Sequence, residues 1–417
     1  MPTLALTISC YVYFFGYQIT LQDVFVIRCT PHFSSGNTYS YRKNFWQLLF
    51  VNFIFVLIST IFIPLSKWIL IGINIEKKLA ISVYLLLLKT YPAKLIDNYI
   101  FILKGVLISH SSFGEFYYVI IASLSGMGFS IYLFIVRLGY GLNGFAISLT
   151  VKVVIELFII LILIYLKIDK RYIQPVSFKE TIANFKSQFI FTISIGGSFY
   201  FEYVAYFISF LFIAQTRDNN IITAYAIHVD LNIYPEYVIE GLLAYIESQL
   251  LIEIGKENKE EYLRKKKIYL GYLGIIAFLL TLSWALSFEH IAFIFSSKKV
   301  IREYVNILNF MNIIEIPLNT FIATNIAFLN IIEKERLQVI LSLTVYGILT
   351  IAFQGIFVLQ LKLDVYGCKL GEIITCIIYI AVLIFFYSRY EKKFLDELED
   401  GELSDEEIEM IQEIDET

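Results

Sequence analysis

Glu202 is the only charged residue between Ser187 and Thr216, a run long enough to cross a bilayer. A charge at the centre of a membrane helix costs roughly 2.5–3.5 kcal/mol on insertion scales, so such a residue marks an ion or proton pathway. Its spacing supports that: Ser194, Ser198, Glu202 and Tyr206 recur every four residues, and Ser209 follows three later. One helical face is therefore polar, centred on the acid. Two other apolar runs repeat the pattern. In Tyr304–Ile332, Asn309, Asn312, Glu315 and Asn319 fall within an arc of about 120° at 100° per residue. In Asn219–Ile252, His228, Asn232, Glu236 and Glu240 form a drifting stripe that Glu247 rejoins, and Asp230 lies about a quarter turn or more away. Three helices carrying acids in polar stripes suit a wet cavity that prefers cations. The chemistry would be exchange: a carboxylate protonated towards the acidic side gives up its proton towards the cytosol and takes a cation. The competing reading makes these groups helix–helix glue, each acid neutral and hydrogen-bonded. It is stronger for one acid than for three.

Other membrane charges look compensated. Lys89, Lys94 and Asp97 share one apolar run, and Lys152 and Glu156 stand at i,i+4 in another, which favours a structural role. Asp23 lies near the end of its run, within reach of interfacial water. Nothing local points to bond-making chemistry. His32, His110, His228 and His290 are far apart, and Cys10, Cys29, Cys368 and Cys376 form neither a metal pattern nor a disulfide framework. No Gly-rich phosphate loop is present. No catalytic residue, metal or cofactor is expected.

The elements that must position these groups are membrane helices. Hydrophobic residues make up 58% of the 417 residues and charged ones 17%, too apolar for a soluble chain of this size. A bilayer core needs roughly 20 apolar residues per helix. Six windows hold no Asp, Glu, Lys or Arg: Thr3–Gln22, Asn44–Ser66, Phe116–Val136, Ile268–Phe288, Leu337–Leu361 and Ile373–Ser388. Five more carry isolated charges: Leu79–Leu103, Gly139–Leu166, Ser187–Thr216, Asn219–Ile252 and Tyr304–Ile332. About eleven transmembrane helices follow. The runs are continuous rather than alternating, which argues against a barrel. The first run lacks the basic flank of a signal peptide and reads as a retained helix. From Glu391 the chain becomes an acidic tail, in which Ser404 and Glu407 have the spacing of a capping box.

The chain also repeats itself at an offset of about 221 residues. GNTYSYRK (Gly36–Lys43) resembles ENKEEYLRK (Glu257–Lys265), EKKL (Glu76–Leu79) resembles SKKV (Ser297–Val300), and SLSG (Ser123–Gly126) resembles TVYG (Thr344–Gly347). Slightly shifted, GLNG (Gly141–Gly144) matches DVYG (Asp364–Gly367). Tandem halves are a transporter signature. Subtracting the offset from Ser187–Thr216 gives negative positions, so the expected halves hold five and six helices, the first helix of the doubled pattern being absent. The expected organisation is an N-terminal lobe over 1–168, a polar linker over 169–186, a C-terminal six-helix lobe over 187–390 and an acidic tail over 391–417. Alternate loops differ about two to one in basic residues, which puts the richer set, the linker and the tail in the cytosol. Lys104 counts with the cytosolic loops and Lys369 with the opposite ones.

With these features together, the chain resembles multidrug and toxic compound extrusion (MATE) transporters. FEYVAYF (Phe201–Phe207) is similar to their seventh-helix motif, Ile222–Asn258 to their eighth helix, and GLNGFAISL (Gly141–Leu149) to the start of the sixth. The resemblance implies an all-α polytopic membrane protein of two pseudo-symmetric helical lobes around a V-shaped cavity. It implies a secondary antiporter exporting organic cations or xenobiotics against H⁺ or Na⁺. By motif position Glu202, Asp230 and Glu315 are the implied substrate and cation sites, with Glu236, Glu240, Tyr206, Asn312 and Asn319 as secondary candidates. The implied setting is a plasma, vacuolar or vesicular membrane, with a monomeric, lipid-embedded protein that binds small molecules and no nucleic acid. Phe207 replaces a second seventh-helix Glu, and Pro235 lies upstream of the usual Pro position. Alternatives are a superfamily relative that flips lipid-linked oligosaccharide, which would need basic residues in the cavity, and a non-transporting remnant or scaffold.

Overall fold

The computed structural model describes residues 20–72, 77–183, 185–214 and 218–400, with Thr7 and Tyr17. The run Thr3–Gln22 lies almost wholly outside the described residues, as does the capping pattern of Ser404 and Glu407. The described residues are helical apart from the connecting turns, with no strand among them. The elements are α1 (Leu21–Ser34), α2 (Thr38–Gly72), α3 (Lys77–Ser109), α4 (Phe113–Arg137), α5 (Gly141–Lys167), the short α6 (Phe178–Ile182), α7 (Phe185–Ala214), α8 (Asn219–Ile254), α9 (Lys259–Phe295), α10 (Lys299–Ile331), α11 (Glu335–Gln360) and α12 (Asp364–Asp400). Eight are long and apolar enough to cross a bilayer: α2 to α5 and α9 to α12. In hydrocarbon every backbone N–H and C=O must be satisfied within the chain, which is why such runs close into helices. Pro235 and Pro317 stay inside unbroken helices α8 and α10.

The repeat extends to backbone detail. The turn after α1 is closed by Asn37 N–H to His32 O at 2.9 Å and Gly36 N–H to Phe33 O at 3.1 Å. The turn after α8 is closed by Asn258 N–H to Glu253 O at 3.0 Å and Glu257 N–H to Ile254 O at 2.8 Å. Both use a left-handed residue, Gly36 (φ 74°) and Glu257 (φ 55°), as helix C-termini commonly do. Asn37 and Asn258 then cap the next helix alike, accepting from Ser40 N–H and Glu261 N–H, each at 3.0 Å. Further along, Ser111 (φ 56°) and Glu333 (φ 55°) hold equivalent places after α3 and α10. α4 and α11 both finish in π-helical turns, Tyr132–Arg137 and Gly355–Gln360. In each, the next helix enters through a glycine pressed on the turn: a Cβ on Gly144 would meet Phe134 backbone carbon at 3.0 Å, and one on Gly367 would meet Phe357 backbone carbon at 2.9 Å. The offset grows from 221 residues at Asn37/Asn258 to 223 at Gly144/Gly367, the one shift visible in the sequence.

Two compact units result, Met1–Tyr203 and Val204–Thr417. In the first, α1 packs on α2 and α3, and α5 packs on α3 and α4. In the second, α8 and α12 both pack on α10, and α11 packs on α12. The boundary between these two units falls inside α7. The reason is packing: the start of α7 belongs to the first unit. Arg28 lies 3.8 Å from the Phe191 ring centroid, Phe189 stacks on Phe55 at 5.2 Å, and Gly196 leaves room for Thr20.

Candidate functional site

The polar stripes of α8 and α10 meet inside the second unit. His228 Nδ1 lies 3.3 Å from Asn309 Oδ1. More than two turns along α8, Glu236 accepts from Asn232 at 2.9 Å and from Asn319 at 3.4 Å. Trp284 of α9 donates to Asn309 O at 3.0 Å. The i,i+3 and i,i+4 spacing seen in sequence thus brings these groups together.

Below Asn312 sits a charge cluster that this spacing does not show. Glu315 of α10 is fully buried and forms an ion pair with Lys369 of α12. Lys369 Nζ is also 3.0 Å from Glu372 Oε2. Side-chain exposure is 2% for Lys369, 0% for Glu315 and 2% for Glu372, so none of these charges is relieved by water. Such burial costs several kcal/mol per ion and is repaid only by close pairing. Lys369 is therefore not a loop residue, as its place near the start of α12 suggested, but the core cation of this unit. Glu372 lies outside the polar stripes that periodicity picks out. Their signal is an i,i+3 Lys–Glu pair in an otherwise apolar helix.

The first unit holds a second cluster on the corresponding helices. Asp97 of α3 pairs with Lys94 at 3.0 Å and with Lys152 of α5 at 3.3 Å. Lys152 reaches Glu156 at 3.0 Å, and Glu156 also pairs with Lys104. The compensated pairs expected from sequence are real, but Lys104 is part of the network rather than of a cytosolic loop: it is 7% exposed. Lys89 stands apart, donating to Asn143 Oδ1 at 2.6 Å.

The remaining candidates are dispersed. Asp230 is exposed on α8, away from the stripe, in keeping with its helical phase. Glu240 is half-buried on α8 and Tyr206 half-buried on α7. Asn312 is fully buried with no hydrogen bond to either amide atom, and Asn319 accepts from Cys376 Sγ at 3.6 Å. The side chain of Glu202 lies outside the described residues. On the same face, Ser209 bonds to Gln354 of α11, which donates to Cys368 O at 3.1 Å.

No protein-family profile matches the chain, and no curated protein matches its sequence. Its fold, however, is that of MATE transporters. The eukaryotic MATE transporter AtDTX14 superposes with a TM-score of 0.84 at 13% identity, covering 95% of this chain and 90% of that one. A MOP-superfamily transporter from Pyrococcus furiosus, described as having a binding pocket of reversed polarity, gives 0.78 at 14% identity over 95% and 88%. A mutant of the Vibrio cholerae MATE transporter VcmN gives 0.78 at 12% over 94% and 89%. The chain is thus an all-α, multi-pass integral membrane protein with a transporter fold.

Proposed function

We propose that the chain is a secondary active antiporter that exports organic cations or xenobiotics in exchange for H⁺ or Na⁺ by alternating access. The observation that carries this reading is the acidic surplus in the core of the second unit, where one ammonium serves two carboxylates on α10 and α12. Glu315 is the coupling acid there. Glu202, by its place in the stripe of Ser194, Ser198, Tyr206 and Ser209, is the acid that meets the substrate, with Asp230 on α8. Glu236, Glu240, Tyr206, Asn312 and Asn319 supply the secondary polar surface. Each acid suits exchange on its own: a proton and a cationic substrate compete for its carboxylate, so neither returns without the other.

The reading places residues 1–168 and 187–390 in the two lobes, 169–186 and 391–417 in the cytosol, and the protein as a monomer in a plasma or internal membrane. The bias in basic loop residues supports that orientation. The lipid-linked oligosaccharide alternative is less well supported, because the second unit's core is acidic. The test is efflux of a preloaded fluorescent cation from cells expressing the full chain. Glu202→Gln should abolish pH-driven efflux with expression intact; undiminished efflux by that variant would sink the assignment.

A further inference from the structure

The charge count of the second unit's cluster leaves one position open. Glu315 and Glu372 reach the same ammonium from two helices, and all three groups are at most 2% exposed. Two carboxylates and one lysine leave a net charge of −1 in a dry core, which is costly enough that a group takes up a proton instead. The hydrogen bonds show the same gap. Glu315 Oε1 and Glu372 Oε1 are both buried and receive no hydrogen bond. Lys369 donates to the Oε2 atom of each carboxyl group and so leaves both Oε1 atoms unserved. A proton on either carboxylate would bring the cluster to neutrality.

Among the described residues, the neighbours offer no second cation. From α8, Tyr225 and His228 lie within electrostatic reach of Glu372 and Lys369 respectively. A positive His228 would have Lys369 as its like-charged neighbour, and its ring faces Asn309 instead. α12 adds Cys368, whose Sγ lies 3.6 Å from Tyr225 Oη, while Trp284 of α9 and Gln354 of α11 are uncharged. The described residues hold no group of three His, Cys, Asp or Glu side chains arranged for a metal ion. The first unit differs, since three lysines serve two acids there.

We infer that Glu315, Lys369 and Glu372 form a one-proton site, in which Lys369 is a built-in counter-ion that limits the two carboxylates to a single exchangeable proton. When the site opens, the carboxylic acid passes its proton to water and becomes a carboxylate, and one positive charge on the substrate compensates it. Lys369 keeps its charge throughout. This site therefore exchanges one proton for one cationic charge per cycle, and Lys369 and Glu372 become specificity-setting partners of Glu315. This rests on the antiporter reading, but its test contains no transport step.

The test is infrared difference spectroscopy of the carboxylic-acid C=O stretch, using the purified full chain in lipid nanodiscs at neutral pH in sodium-free buffer. Glu315→Gln and Glu372→Gln should each remove one acid's intensity, because either change leaves an ionised Lys–Glu pair. Lys369→Met should add one acid's intensity, and Lys369→Arg should match the wild type. If Lys369→Met does not fold, the two Gln variants and Lys369→Arg still decide the matter. Retention of the band in Glu372→Gln would overturn the proposal. So would loss of the wild-type band on adding Na⁺ at constant pH, which would show a metal cation in the proton's place. Failure of these spectra would leave the antiporter reading standing, whereas correct spectra without exchange would overturn the transport reading alone.

Discussion

Removing the negative charge of Glu156 should be the most damaging single change in the first unit's network. Glu156 is 1% exposed and serves two lysines. In Glu156→Gln, Lys152 still has Asp97 at 3.3 Å, but Lys104 loses its bridged counter-charge with its side chain only 9% exposed. Its ammonium lies 5.0 Å from the Phe101 ring centroid. A cation–π contact of that kind contributes about 0.5–2 kcal/mol, less than an ion pair in a dry site. Breaking a buried pair from one side costs about 3–5 kcal/mol, so the expected loss is ~3 kcal/mol. Asp97→Asn should cost less, about 1–2 kcal/mol, because Lys94 is 27% exposed at its side chain and can turn to water while Lys152 keeps Glu156. The double variant Glu156→Gln/Lys104→Met should recover most of the loss, ~2 kcal/mol relative to Glu156→Gln, because no unpaired buried ammonium remains. Unfolding by SDS in mixed micelles reads all four proteins. Equal losses for Glu156→Gln and Asp97→Asn, or no recovery in the double variant, would refute the counter-charge argument.

Three further outcomes follow from the fold. Gly367→Ala should destabilise by about 1–3 kcal/mol, since its Cβ would lie 2.9 Å from Phe357 backbone carbon; unchanged thermal stability in detergent would show that the π-turn yields easily. Lys362→Gly should stabilise by up to ~1 kcal/mol, because Lys362 is left-handed at φ 55° where the first unit has Gly139 at φ 68°, and the same thermal assay reads it. His110, just beyond α3, sits among Tyr41, Phe33 and Tyr172, and its burial lowers it from 6.5 to about 4. The folded state therefore binds this proton less readily than the unfolded chain does, so His110's contribution is intact above pH ~6.5 and is lost as the pH falls towards ~4, by at most about 3 kcal/mol. Stability measured across that window should fall less steeply in His110→Asn, and an unchanged slope would contradict this.

Much of the scaffold was legible because it is written in local pattern. Continuous apolar runs gave the helices, and Asn37/Asn258 and Gly144/Gly367 gave the repeat, since capping and close approach need those residue types at those places. The stripes of α8 and α10 were legible too, because helical phase decides which residues share a face. Lys369 and Lys104 were not. Each lies where an apolar run meets a helix end, and a lysine there ordinarily reaches for water. Their burial depends on acids 54 and 52 positions away in the chain, a tertiary choice that periodicity does not encode. The packing of α7 is tertiary in the same way: Phe189, Phe191 and Gly196 decide where its start lies.

The central claim is ion-coupled export of organic cations, with the proton inferred from the Glu315 cluster as the coupling ion, and reconstituted exchange tests it most directly. The full chain in liposomes, with the membrane potential clamped, is given an outwardly or inwardly directed pH gradient, and ethidium uptake is followed by fluorescence. Ethidium should accumulate on the acidic side only while the gradient lasts, and Glu202→Gln and Glu315→Gln should both abolish this. Accumulation without a gradient, or of wild-type size in both variants, would contradict it.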